Sequence, residues 1–139
     1  MVSNQETSNL KDYGKFPFLK THKSLAEVLT DHELASFGDA YINFVYSLAL
    51  SKKRGKPCGA RVKGSVLAQA FRKAGLRENL GSRIDSHALA DAAEALIVYA
   101  WLRGFITLDE TASTLEKADE PLEGFTQLLK TAKSRFRLS

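Results

Sequence analysis

The sequence predicts an all-α domain, and three observations support that prediction. Apolar residues recur at steps of three and four through most of the chain, which is the period of a helix. No stretch of any length alternates apolar and polar residues in the way that a half-buried strand does. Glycine, proline and helix-capping residues separate the periodic segments. With 139 residues, the chain is long enough to enclose the core of one domain.

The first elements follow from local signals. Residues 1–15 lack a periodic pattern, so we expect a flexible lead there and a single domain over residues 16–139. Ser24 is predicted to cap a short helix, about Leu25 to Leu29, with Glu27 closing a capping box.

A long second helix is predicted to begin at Thr30 or Asp31 and to run to about Lys53, where cations suit the negative end of the helix dipole. Its apolar residues keep the helical period: Leu34, Phe37, Tyr41, Phe44, Val45 and Leu48. Four more helices complete a set of about six, each delimited by a capping residue, a glycine or Pro121. Their predicted bounds are about 63–74, 87–103, 107–118 and 121–134. The helix at 87–103 is apolar nearly all round, which predicts that it is the buried centre of the domain.

The composition narrows the compartment and the partners. Cys58 is the only cysteine, which excludes an internal disulfide and a cysteine-based zinc site and fits a reducing cytosol. No apolar run approaches the length of a membrane span, and the first nine residues lack the apolar core of a signal peptide. We therefore expect a cytoplasmic protein without a membrane partner.

Basic residues are concentrated in one segment, although the net charge is only +4. Residues 51–83 contain ten of the 20 lysines and arginines and a single acid, Glu78. A solvated surface normally mixes both signs, whereas clustered cations bind polyanions with release of counterions. Six cations of this segment are the candidates for contact with a polyanion: Lys52, Lys53, Arg54, Lys56, Arg61 and Lys63.

Three acids lie on helices that are otherwise apolar. Asp39 belongs to the second predicted helix, and Asp91 and Glu94 are three residues apart on the central one. A buried carboxylate is costly unless it is paired, protonated or bound to a cation. Because hard oxygen ligands suit Mg²⁺ or Mn²⁺, these acids are predicted to be metal ligands. Gly38, which costs a helix roughly 1 kcal/mol relative to alanine, would be explained by close approach of the central helix. The alternatives are that Asp91 and Glu94 form an exposed strip and that a kink at Gly38 turns Asp39 to solvent.

Three further polar residues could support this site. Asn43 follows Asp39 by one helical turn, and His32 precedes it by two. His87 precedes Asp91 by one turn. Asn43 could hydrogen-bond to the site, and the histidines could orient water or bind phosphate oxygen, although helical histidines are more often structural.

Around these residues the sequence resembles the catalytic domain of the ribonuclease III family. The first family signature places Leu-Gly-Asp-Ala within a long helix and is matched by Phe-Gly-Asp-Ala at 37–40. The second, Ala-Asp-x-x-Glu-Ala-Leu-Ile, is matched in full at 90–97. The family's intervening helix, rich in Leu-Ala and ending in Gly-Leu, is similar to residues 66–76. The likeness extends from about Leu34 to Gly104 and keeps the order of the family's elements.

The resemblance implies a homodimer of helical domains that holds double-stranded RNA between two acidic sites. It also implies Mg²⁺-dependent hydrolysis of phosphodiester bonds, leaving 5′-phosphate and 3′-hydroxyl ends, with Asp39, Asp91 and Glu94 at the metal site. One position departs, because Ala35 stands where the family usually has a glutamate, four residues before the first aspartate. The Mini-III branch also has alanine there and lacks a double-stranded-RNA-binding domain, so the chain is similar to that short form.

Together, the residues and the resemblance predict metal-assisted hydrolysis of RNA, with Asp39, Asp91 and Glu94 as catalytic residues. The six cations named above are predicted to bind the RNA backbone. A metal held by the three carboxylates would lower the pKa of a bound water and neutralise charge that develops on the phosphate. Two other classes stay open. One is a dimeric RNA-binding module with weak or no activity, which Ala35 favours, and the other is a helical DNA-binding domain that uses the basic third helix.

Overall fold

The computed structural model describes residues 16–138, so the predicted flexible lead at 1–15 lies outside the described residues. Within that range, six α-helices and one short 3₁₀ helix occur, and no strand does. The α-helices are α1 (Leu25–Leu29), α2 (His32–Arg54), α3 (Gly64–Lys73), α4 (Ser86–Leu102), α5 (Leu108–Lys117) and α6 (Pro121–Leu138). The 3₁₀ helix covers Arg77–Asn79. The all-α prediction is confirmed, and each predicted helix is present.

Most helix starts are fixed by the predicted capping residues. Asp31 accepts a hydrogen bond from the Leu34 N–H at 3.0 Å and so begins α2. Thr107 begins α5 with a full capping box. At α1 the predicted box is only half correct. Ser24 accepts from the Glu27 N–H, but the Glu27 carboxylate accepts from the N–H of Lys23 rather than from that of Ser24. The return bond of the box therefore reaches one residue further upstream than predicted.

The last helix, α6, runs four residues beyond its predicted end. Tertiary contacts account for the extra turn. The Arg135 guanidinium donates to the carbonyl of Phe105 and, at 3.0 Å, to the carboxylate of Glu110. The Phe136 ring lies 6.0 Å from the ring of Tyr99, which is buried. These partners come from other elements, so helical periodicity alone could not locate the end of α6.

The core surrounds α4, as predicted. Twelve of its 17 residues are buried, and it packs most extensively against α2 and then against α3. Five of those buried residues are alanines, which let neighbouring helices approach closely: Ala90, Ala92, Ala93, Ala95 and Ala100. No helix among residues 16–138 is long and apolar enough to cross a membrane.

Candidate functional site

Glu94 is an acid placed inside the central pair of helices. It lies on α4 and is only 9% exposed. On the facing helix, a Cβ added to Gly38 would lie 2.2 Å from the Glu94 carbonyl oxygen and 3.1 Å from the Glu94 Cβ. Any side chain at position 38 would therefore push α2 and α4 apart. The close approach of α4 therefore accounts for this glycine, and α2 runs through it without a break.

The surroundings of Glu94 favour its neutral form. The pKa of Glu94 is raised to about 8, and burial is the largest cause. A hydrogen bond with Asp39, the negative charge of Asp39 and the charge of Asp91 raise this pKa further, whereas the charge of Arg61 lowers it. Glu94 is therefore mostly protonated at neutral pH when no cation is bound. A cation next to these carboxyl groups would stabilise the ionised form, so this cluster has the electrostatics of a site for a positive ion.

Asp39 lies at the solvent edge of this group, with 51% of its side chain exposed. The Asn43 amide donates to Oδ1 of Asp39 at 3.2 Å and to its backbone oxygen at 2.9 Å. One guanidinium nitrogen of Arg61 lies 3.8 Å from Oδ2 of Asp39. The carboxylate is thus oriented from within α2 and faces a cation on the loop before α3.

Asp91 is partly buried and lines a cavity of about 180 Å³ between α2 and α4. Ala35 and His32 of α2 line the same cavity. Ala35 is 6% exposed, so a longer side chain at this position would extend into space that is now open beside Asp91. Of the polar residues proposed from sequence, Asn43 therefore contacts Asp39, and His32 shares a cavity with Asp91. His87 is exposed in the first turn of α4.

The structure places Asp39 and Asp91 within electrostatic range of Glu94. The alternative of an exposed acidic strip is wrong for Glu94, because its side chain is buried. Over residues 16–138, no group of three or more histidine, cysteine, aspartate or glutamate side chains is positioned to hold a metal ion as it stands. The metal-binding and catalytic roles of the three acids stay predictions.

The six cations predicted to bind RNA are all exposed. They occupy the C-terminal end of α2, the following loop and the residue before α3. Two have partners within the chain, because Lys53 donates to the carbonyl of Ala118 at 3.0 Å and Arg61 faces Asp39. A basic surface therefore adjoins the acidic group, and Arg61 is the cation that lies at their boundary.

Sequence reasoning missed how the loop after α2 is attached. The hydroxyl of Ser51 accepts from the N–H of Cys58 at 2.9 Å, and its proton has two acceptors, the carbonyls of Ser47 at 2.8 Å and of Cys58 at 3.2 Å. The hydroxyl of Ser47 accepts from the N–H of Ala60 at 2.9 Å, and its proton is shared in the same way between the carbonyls of Asn43 at 2.7 Å and of Ala60 at 3.1 Å. One helical turn earlier on α2, Asn43 continues this row, and its amide oxygen accepts from the Val62 N–H at 2.8 Å. The signal was available, since polar residues at spacings of four on an otherwise apolar helix form one line.

A partly buried pair formed by His22 and Asp31 was also missed. Its Nε2 lies 2.9 Å from Oδ2 of Asp31, and its ring meets the Tyr99 ring edge-on at 5.2 Å. Burial acts to raise the pKa of Asp31, but hydrogen bonds from the Leu34 N–H and from His22 outweigh it and hold that pKa below its usual value. The pair connects the segment before α1 to α2 and α4, and no local pattern in the sequence indicates it.

Comparison with known proteins adds one match. A family model described as Ribonuclease III matches residues 32–133, which is well over half of the chain. The matched range begins at the first residue of α2, ends within α6 and contains Asp39, Asp91 and Glu94. No curated protein matches the chain.

Proposed function

Because the chain belongs to the ribonuclease III family, we propose that it is an endoribonuclease that hydrolyses double-stranded RNA in the presence of Mg²⁺. Family membership supports a ribonuclease-type function. The observation that carries the finer proposal is the buried carboxyl group of Glu94, which faces Asp39 where α2 and α4 come closest. The proposed products carry 5′-phosphate and 3′-hydroxyl ends.

Asp39, Asp91 and Glu94 are the residues that would hold the metal. Their donor set fits Mg²⁺, or Mn²⁺, because all three offer hard carboxylate oxygens. The raised pKa of Glu94 supports the same assignment, since this carboxyl group lacks a nearby positive charge strong enough to ionise it at neutral pH. When bound, the metal supplies Lewis-acid activation of water and neutralises charge on the phosphate.

The chain's own residues have distinct tasks in this proposal. Glu94 would have to be ionised to act as a ligand, and Asp39 is held in position by the amide of Asn43. The exposed cations between α2 and α3 bind phosphates of the duplex. Duplex RNA is recognised mainly through its shape and its 2′-hydroxyl groups, so we expect little sequence preference from this domain.

A cleavage assay on a generic RNA duplex tests the proposal. Glu94→Gln and Asp39→Asn each remove one ionised ligand without changing side-chain size, and each should slow Mg²⁺-dependent cleavage by about a hundredfold or more. Glu123→Gln and Asp119→Asn are matched controls, because both acids are exposed and lie outside α2 and α4. If the two site variants cut as fast as their controls, the site is assigned wrongly.

A second candidate is a dimeric RNA-binding module of the same fold with weak or no activity. The open cavity beside Ala35 favours it, because a ligand usual in the family is absent there. The likeness to the Mini-III short form, which has the same alanine, stays a prediction. Such a module would bind duplex RNA without Mg²⁺ and would never cleave it, whereas the enzyme would cleave it once Mg²⁺ is added.

A further inference from the structure

The row of polar side chains on α2 fixes the loop residue by residue. Asn43, Ser47 and Ser51 follow one another at intervals of one helical turn and bond to the backbone of Val62, Ala60 and Cys58 in turn. These partners are alternate residues of the loop, and Arg61 lies between two of them. We refer to Asn43, Ser47 and Ser51 as the polar row.

Both chain neighbours of Arg61, Ala60 and Val62, are held by the polar row. Its guanidinium extends to within 3.8 Å of Asp39, and its side chain is 80% exposed. An ion pair this open to solvent contributes little to stability. The guanidinium can therefore exchange Asp39 for another anion without a large loss of free energy.

We propose that Arg61 binds a phosphate of the RNA strand next to the acidic cluster and that the polar row is the device that positions it. The proposal rests on the proposed function. Arginine suits this task, since its planar guanidinium donates two parallel hydrogen bonds to a phosphate. Fixing the backbone on either side in advance reduces the entropy that would be lost when RNA binds. The other exposed cations add attraction for the duplex, whereas Arg61 sets where the strand lies relative to Asp39.

Substitutions at position 61 test the phosphate contact by two readouts. Arg61→Ala should raise KM for duplex RNA about tenfold and leave kcat within about twofold, because the contact is the same in the ground and transition states. The KM of Arg61→Lys should lie between those of the parent and of Arg61→Ala, because an ammonium keeps the charge but lacks the paired donors of a guanidinium. Free guanidinium ion at low concentration should restore part of the affinity to Arg61→Ala. Lys130→Ala on α6 is the control for loss of one exposed cation.

Substitutions in the polar row test the positioning step. Ser47→Ala should accelerate hydrogen exchange at the Ala60 amide, its own hydrogen-bond donor, and should raise KM in the same direction as Arg61→Ala. If exchange at Ala60 accelerates while KM is unchanged, the polar row does not position Arg61. An unchanged melting temperature of Ser47→Ala confirms that the fold is intact. If exchange at the Ala60 amide does not accelerate in Ser47→Ala, the loop is still bound to α2, and the double variant Ser47→Ala/Ser51→Ala is measured instead.

A binding measurement separates this inference from the proposed function. The dissociation constant for duplex RNA is measured with Ca²⁺ in place of Mg²⁺, so that affinity is read without turnover. If the parent protein binds the duplex in Ca²⁺ but does not cleave it when Mg²⁺ is supplied instead, the proposed enzyme activity is wrong, and the expected tenfold weakening of binding by Arg61→Ala still tests the contact. If Arg61→Ala has the same affinity and KM as Lys130→Ala, the inference is overturned. A fall in the kcat of Arg61→Ala at constant KM would also overturn it.

Discussion

At the scale of a single residue, the buried carboxyl group of Glu94 should make the stability of the protein depend on pH. Its pKa rises from 4.5 to about 8 on folding without a cation, so the folded protein prefers the protonated form. The stability that Glu94 contributes is fully present below the unfolded pKa and is lost as the pH rises through 8. Between pH of about 5 and 9, the parent should lose roughly 2 to 4 kcal/mol that Glu94→Gln does not lose.

Urea unfolding in a chelating buffer, at several pH values, measures that difference. Glu123→Gln, an exposed glutamate, should keep the pH dependence of the parent. Identical pH profiles for the parent and Glu94→Gln would show that Glu94 is ionised in the folded state. Added Mg²⁺ should reduce the loss at high pH, because a bound cation stabilises the carboxylate.

The nearness of Asp39, Asp91 and Glu94 could be predicted from sequence, because helical spacing and a glycine indicated which faces meet. The extent to which the Glu94 side chain is buried could not be predicted, because it depends on how closely α2 and α4 approach. The contacts of Arg61 and His22 were also out of reach. Each joins residues from different elements, and no periodic pattern records such a pairing.

At the scale of helices, Gly38 determines how closely α2 and α4 pack. In Gly38→Ala the new Cβ would meet the backbone oxygen and carbon of Glu94 at 2.2 and 2.6 Å, and backbone atoms cannot rotate away. We expect a loss of roughly 2 to 4 kcal/mol in the free energy of unfolding, although alanine is the better helix former. Thermal or urea unfolding measures this loss.

Gly64→Ala is the matched control, because Gly64 also lies in a helix but its added Cβ would be 3.9 Å from the nearest atom, the Ala90 Cβ. That variant should be as stable as the parent or slightly more stable. Equal effects of the two substitutions would mean that helix packing at Gly38 tolerates a methyl group.

Helix positions could be predicted well from capping residues and glycines, whereas the end of α6 could not, because Arg135 finds its partners outside the helix.

At the scale of the whole molecule, α2 carries both a basic surface at its C-terminal end and exposed apolar rings earlier in the helix. The C-terminal end of α2 and the loop that follows carry the exposed cations, and the polar row connects that loop to the residues around Asp39. The sequence pattern assigned Phe37 and Phe44 to the apolar period of α2, yet both rings are exposed in the single chain. An apolar period shows which residues share a face, but it does not show whether the same chain covers that face.

These exposed rings support the homodimer that the resemblance implies, and they give its test. Phe37 and Phe44 are 39% and 57% exposed and lie two turns apart on α2, and Phe18, 63% exposed, meets the Phe37 ring edge-on at 6.1 Å. Large apolar side chains exposed on one helix in this way are typical of a protein–protein contact. Light scattering should therefore give the mass of two chains for the parent and of one chain for Phe44→Asp, because an uncompensated carboxylate cannot be buried in an apolar interface. Gln69→Asp adds the same charge at an exposed position on α3 and should stay dimeric. A parent that is monomeric at concentrations used for cleavage would contradict the homodimer and leave each acidic group to act alone.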